Sequence, residues 1–218
     1  MDFKWDIIYG YAPLFLKGTL ITIGISLLSI FLGSILGLVV SLCKMSKHWF
    51  LRWPTELYVN FFRGTPLFVQ ILIIHFGVVR AVLGHTDAII AAITALTLNS
   101  AAYSAEIFRA GIQSIDRGQR EAAYSLGLSR FQTMRFVILP QAIKRMIPPF
   151  GNEFITLIKD SSLVSIIAAP EIMYWASSMN GQYLRIWEPY LTAAFIYLAL
   201  TYSLSKLLQV VERRLDKA

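Results

Sequence analysis

The stretch from Leu20 to Cys43, LITIGISLLSIFLGSILGLVVSLC, runs 24 residues without a charged side chain. A helix needs about 20 such residues to cross a hydrocarbon core about 30 Å thick, and its backbone groups must be satisfied inside the segment. That one run makes the chain an integral membrane protein. Composition agrees: 15% of the 218 residues are charged, against about 25% in a soluble domain. Three more uncharged runs, at 64–79, 88–105 and 189–205, reach spanning length with their flanks. A fifth segment, about Met146–Met173, is the only one with charges near its middle. The chain therefore reads as an all-α membrane protein of five transmembrane helices forming a single domain over residues 1–218.

The net charge of +7 could point to nucleic acid, but the positions of the charges argue for topology instead. Lys44, Lys47 and Arg52 follow the first span. Arg109, Arg117, Arg120, Arg130, Arg135, Lys144 and Arg145 lie between the third and fourth, and Arg213, Arg214 and Lys217 follow the fifth. Lys4, Lys17, Arg80 and Arg185 fall on the opposite side. The positive-inside rule then places the N-terminus outside and the C-terminus in the cytoplasm, as an odd number of spans requires. The segment MDFKWDIIYGYAPLF has the mixed aromatic and charged character of an interfacial entry, and KMSKHWFLRWPTELYVNFFRGTP lies partly along the inner membrane surface. Pro66 suits the first turn of the second span, with Thr65 as its cap. The lone Cys43 leaves the redox compartment open.

The long cytoplasmic loop, about 115–145, has local helix signals. Asp116 with Gln119 and Ser129 with Gln132 each have the form of a helix start, so two short helices are expected. Gly127 between them is the place for a positive φ. Ala122 and Ala123 leave one face of the first helix nearly bare, beside the apolar anchors Tyr124, Leu126 and Leu128. Leu139-Pro140 should stop the second helix before the chain re-enters the membrane. Such a loop is either an amphipathic element resting on lipid headgroups or a docking element for a cytoplasmic partner.

Glu121-Ala122-Ala123, then three residues to Gly127, nine to Val137 and one to Leu139-Pro140, resembles the EAA loop of ABC importer permeases, with valine in place of the usual isoleucine. Arg63-Gly64-Thr65-Pro66-Leu67, the run 99–109 with Gly111, Gly118-Gln119 and the run 159–163 extend the resemblance to the polar amino acid branch, the histidine/glutamine permease type. The resemblance implies a type I ABC importer permease fold in a prokaryotic cytoplasmic (inner) membrane, surrounded by membrane lipid. It also implies two ABC ATPase subunits that bind ATP and Mg, a second permease subunit in a homo- or heterodimer, and an extracytoplasmic amino-acid-binding protein. Glu121, Ala122, Ala123, Tyr124, Leu126 and Gly127 would then form the ATPase-coupling helix. The chain has no G-x-x-x-x-G-K-[ST] phosphate loop, so it is expected to be no enzyme itself, with no catalytic residue and no cofactor of its own.

The charged span carries GNEFITLIKDSSL at 151–163. Glu153 and Asp160 are seven residues apart, which on a helix leaves them about 20° from one direction and about 10 Å apart along the axis. Asn152 and Thr156 flank that stripe. A centrally placed Asp in a membrane costs about 2.5 kcal/mol or more, so such groups face a bundle interior or a water-filled path. Three partners are open: a permanent ion pair inside the protein, a proton relay, or the substrate. Under the first, Lys159 points about 100° from Asp160 and would seek Glu106 on the third span. Under the third, the two carboxylates would hold the positive ends of a cationic amino acid such as arginine, lysine or histidine, a guanidinium through paired hydrogen bonds. Glu153 is the more telling of the two.

Asn99, Tyr103 and Glu106 form a polar stripe on the third span. Glu106 is three residues from Arg109 and reads as a local ion pair. Asn99 and Tyr103 either hydrogen-bond between helices or line the same cavity as Glu153. Gln70, the only strongly polar uncharged group of its helix before His75, could face the path. His75 reads as a packing histidine. His48 and His85 lie in loops with no second ligand at metal spacing, so no metal site is expected. The substrate set is therefore Glu153, Asp160, Asn99, Tyr103, Asn152 and Gln70. A neutral polar amino acid such as glutamine is the closest alternative substrate, and an ion-coupled secondary carrier the alternative from another class.

Overall fold

The structure is a computed structural model that describes residues 3–215, so Lys217 lies outside the described residues. Among the described residues every regular element is helical. In chain order these are α1 (Trp5–Lys44), α2 (Trp49–Gly64), α3 (Leu67–Leu83), α4 (Ala88–Gln113), α5 (Arg117–Ser125), α6 (130–160), α7 (Ile172–Tyr183) and α8 (Trp187–Leu215). Among the described residues α1, α4 and α8 are each long and apolar enough to cross a membrane. The bent pair α2–α3 qualifies as one more.

The expected entry segment is not separate from the first span. α1 is one helix of 40 residues with Pro13 inside it, about 60 Å long and about twice the hydrocarbon thickness. Its N-terminal part, through Tyr11 and Phe15, packs on Ile172, Ala176 and Met179 of α7 and on Ala193 of α8. Further along, Ser26, Ser29, Gly33, Gly37 and Ser41 turn one buried stripe of small side chains toward α4. Ser100 lies against Gly33, and Ser104, Ala101 and Ala105 lie against Gly37. Gly33 and Gly37 are spaced as in the small-xxx-small pattern by which membrane helices bring their backbones together.

α2 and α3 meet at 109°, so the two helices cannot both run along one membrane normal. The bend follows from Pro66, which forces the preceding residue into extended backbone: Thr65 has φ −117° and ψ 149°. The capping expected here is not what forms. Pro66 itself occupies the position before the helix, without a side-chain cap, and the Thr65 hydroxyl turns back to donate to Phe61 O at 2.8 Å. α3 then widens into a π-helical stretch at Ile73–Val79. His75 is buried there, edge-on to Phe76 at 4.6 Å.

Both helix starts expected in the loop at about 115–145 are present. Asp116 accepts from Gly118 N at 2.7 Å, and Ser129 and Gln132 close a reciprocal capping box. Gly127 has φ +81°. Leu139-Pro140, however, does not end the second helix. A π-helical stretch at Thr133–Ile138 precedes it, and the helix continues to Asp160. The wider π turn places Pro140 at the start of a fresh α-helical register, where its missing N–H costs no hydrogen bond.

The segment Met146–Met173, expected as one continuous span, is broken. α6 ends at Asp160, tightens into a 3₁₀ stretch at Ser161–Ile167 and turns through Ala168 at φ 62°. The Ser161 and Ser165 hydroxyls donate to Ile158 O and Ser162 O, each at 2.7 Å, offering the backbone an alternative to helix. After Pro170, Glu171 starts α7 by accepting from Met173 N at 2.9 Å and Tyr174 N at 2.7 Å. Ile172–Tyr183 thus form a separate helix, α7, after the break.

Candidate functional site

α6 places the two carboxylates where the heptad spacing puts them. Glu153 is half-buried and approaches the buried Ser100 hydroxyl of α4, without closing a hydrogen bond of 3.5 Å or less. Asp160 is half-buried at the helix end, and Asn152, Thr156 and Lys159 are exposed. Asp160 and Arg63 both act on Glu153 electrostatically, and Lys159 acts on Asp160. Among the described residues neither carboxylate forms an ion pair within 4 Å.

The Lys159–Glu106 pair that a permanent internal ion pair would use is not made among the described residues. Glu106 holds Lys44 at 2.5 Å and Arg109 at 2.7 Å, with Arg63 further off at 3.8 Å. The local pair with Arg109 was legible from their spacing on one helix. Lys44 lies 62 positions away, and only the close packing of α1 on α4 brings it in.

Gln70 and Asn99, expected as possible cavity-lining groups, are joined to each other. Asn99 Nδ2 donates to Gln70 Oε1 at 2.9 Å, and Gln70 Nε2 donates to Phe62 O at 2.9 Å and to Thr65 O at 3.1 Å. Both side chains are buried. Their amides satisfy the carbonyls exposed by the α2–α3 bend and tie that corner to α4. Tyr103 remains at the surface, with the Arg63 guanidinium 5.2 Å from its ring centroid. Arg63, Tyr103, Glu106, Arg145 and Pro149 line a cleft of about 410 Å³ between α4 and α6.

Neither Glu171 nor its partner Tyr197 is among the residues expected from the sequence to matter. Glu171 is fully buried and accepts from Tyr197 Oη at 2.5 Å as well as from the two backbone amides of α7. A Glu directly after Pro170 was the available signal for a helix start.

The residues expected to form the coupling helix divide between two faces. Glu121, Ala122, Tyr124 and Leu126 are exposed, with Leu126 at 82%. Ala123 is buried, so its small side chain serves packing within this chain. α5 is anchored to α6 by Gln141 Nε2 donating to Gln119 Oε1 at 3.1 Å, and Arg145 of α6 donates to Ser114 O at 2.5 Å. The helix bearing Glu153 and Asp160 is thus the helix against which α5 rests.

The family described as "Binding-protein-dependent transport system inner membrane component" matches residues 8–217. The chain belongs to this permease family. It is 42% identical to the arginine transport system permease protein ArtQ of Bacillus subtilis over 206 residues, covering 93% of each chain. It is also 42% identical to the L-cystine transport system permease protein TcyB of the same organism over 215 residues, 98% of this chain and 92% of the relative. A solved structure described as an amino acid ABC transporter with histidines contains a chain of 41% identity, superposing with a TM-score of 0.92 over 98% of this chain and 100% of the other. The fold is that of a type I ABC importer permease, and the protein is a multi-pass component of the inner membrane. Equal identity to arginine and L-cystine permeases means that overall similarity does not choose between cationic and neutral cargo.

Proposed function

We propose that this permease is the transmembrane subunit of an ATP-driven importer for a cationic amino acid. The chain crosses the membrane five times, with its N-terminus outside, its C-terminus in the cytoplasm and α6 supplying the fourth crossing. Two such subunits, identical or related, enclose the path. An extracytoplasmic binding protein delivers the amino acid, and two partner ATPases hydrolyse ATP.

The observation that carries the substrate class is the pair Glu153 and Asp160, on one stripe of α6 and without an ion-pair partner among the described residues. The nearby cations Lys44 and Arg109 are committed to Glu106. Unpaired carboxylates inside a membrane protein call for a mobile cation, and an arginine or lysine side chain with its α-ammonium supplies two. The test is uptake of labelled arginine and glutamine into vesicles holding this chain, its ATPase and its binding protein. Glu153→Gln is expected to lower arginine uptake about tenfold, the effect of losing one charge-assisted hydrogen bond. Glutamine uptake indifferent to the change would overturn the cationic reading in favour of a neutral polar amino acid. Uptake persisting without the ATPase would make the protein an ion-coupled carrier.

Coupling is assigned to the exposed face of α5, with Tyr124 and Leu126 as anchors beside Ala122. Leu126→Asp is expected to leave the thermal midpoint of this chain unchanged. It should weaken ATPase association by about 2 kcal/mol, thirtyfold in Kd, the scale of a lost interface anchor. Unchanged co-purification of the ATPase would remove Leu126 from the coupling surface.

A further inference from the structure

We propose that Arg63 holds the α-carboxylate of the transported amino acid while Glu153 and Asp160 hold its cationic groups. This rests on the substrate reading above and completes it. An amino acid carries a carboxylate as well as its positive ends, and two acidic side chains repel the former. A cation must therefore face the same space.

Most basic side chains near the path are already committed. Lys44 and Arg109 close on Glu106 at 2.5 and 2.7 Å, and Arg145 donates to Ser114 O at 2.5 Å. Lys159 stands on the stripe's own helix, exposed, and its charge acts on Asp160. Arg63 differs. Its contact with Glu106 is long at 3.8 Å, its side chain is 43% exposed, and its guanidinium sits over the Tyr103 ring in the α4–α6 cleft. Three cations surround the single Glu106 carboxylate, so this corner has an excess of positive charge that a second anion would neutralise.

The placement also fits. The cleft is open, and at about 410 Å³ it is large enough to admit an amino acid. Pro149 on its wall is four residues from Glu153, about one turn and about 6 Å along α6. An amino acid with its carboxylate in the cleft can therefore reach Glu153 with its ammonium. A guanidinium presents a planar fork that matches a carboxylate through two hydrogen bonds, and the Tyr103 face fixes that plane.

The test is equilibrium binding of labelled arginine and of agmatine, its decarboxylated analogue, to the permease–ATPase complex in lipid nanodiscs without the binding protein. The wild type is expected to favour arginine about tenfold or more. Arg63→Gln should weaken arginine binding by that factor and leave agmatine unchanged, whereas Arg63→Lys should retain part of the preference. An unchanged arginine-to-agmatine ratio in Arg63→Gln overturns the proposal. So does a loss that is equal for both ligands and appears only in anionic lipid, which would make Arg63 a lipid-phosphate site. Should Arg63→Gln fail to assemble, an Arg63→Lys complex with no preference for arginine overturns the proposal, and retained preference supports it. If the wild type binds glutamine and neither arginine nor agmatine, the cationic reading fails on its own. Arg63 is then judged by the same ratio for glutamine against its decarboxylated amide.

Discussion

Gly37→Leu is expected to lower the thermal midpoint of the protein by about 6–12 °C, while Gly24→Leu on the same helix leaves it unchanged. A Cβ at Gly37 would lie 2.5 Å from Ser104 Cβ, 2.8 Å from Ala101 O and 3.0 Å from Ala105 N. Two of those three atoms are backbone of α4, so rotamer changes cannot make room, and the helices must separate. Separation loosens the contact beside the buried Ser26, Ser29 and Ser41 and moves Lys44 away from Glu106. Overpacking alone costs about 1–3 kcal/mol, and a clash with backbone along a principal helix pair belongs at the upper end. Gly24 has nothing within 4 Å of its added Cβ, so a leucine there meets open space. The measurement is the yield of monodisperse protein in mild detergent and its thermal midpoint. Gly37→Leu behaving like Gly24→Leu would show that α1 and α4 do not approach this closely.

What was legible in the sequence follows from how local the physics is. Asp116, Ser129 and Gly127 declare the ends of two helices because a cap is a bond between residues two or three apart. The Glu153–Asp160 stripe and the Glu106–Arg109 pair are likewise visible, being set by the helical repeat. The break after Asp160 is hidden because hydropathy registers only the absence of charge in SSLVSIIAAP, and that run is equally apolar bent or straight. Its signals, three serines and a proline, are common inside spans as well. Leu139-Pro140 misleads for a related reason: the π-helical stretch that accommodates the proline leaves no mark in composition. Groups joined through packing are the least readable. Gln70 and Asn99 are 29 positions apart, and nothing local says that two polar side chains, each plausible in a water-filled path, will satisfy each other at a bend.

The same packing makes Glu106 the residue whose loss should be felt most widely. Its side chain is 15% exposed and is approached by Lys44, Arg109 and Arg63, themselves 17%, 34% and 43% exposed. Glu106→Gln preserves volume and hydrogen-bonding capacity but leaves three cations together without an anion. Removing one partner of a buried ion pair costs about 3–5 kcal/mol, and the partial exposure of the arginines favours the lower figure. For a chain of this size, about 3 kcal/mol corresponds to a fall in Tm of about 6–12 °C. The Lys44→Met change should partly reverse that fall in the double variant, because Lys44 is the least exposed of the three cations and gains most from being made neutral. Arg109 can remain, since it also donates to Gln113 Oε1 at 2.6 Å. A Glu106→Gln protein with an unchanged Tm would mean that the cluster is solvated rather than packed. Additive behaviour of Glu106→Gln and Lys44→Met would mean that the two residues do not share the contact that joins α1 to α4 at this end of the bundle.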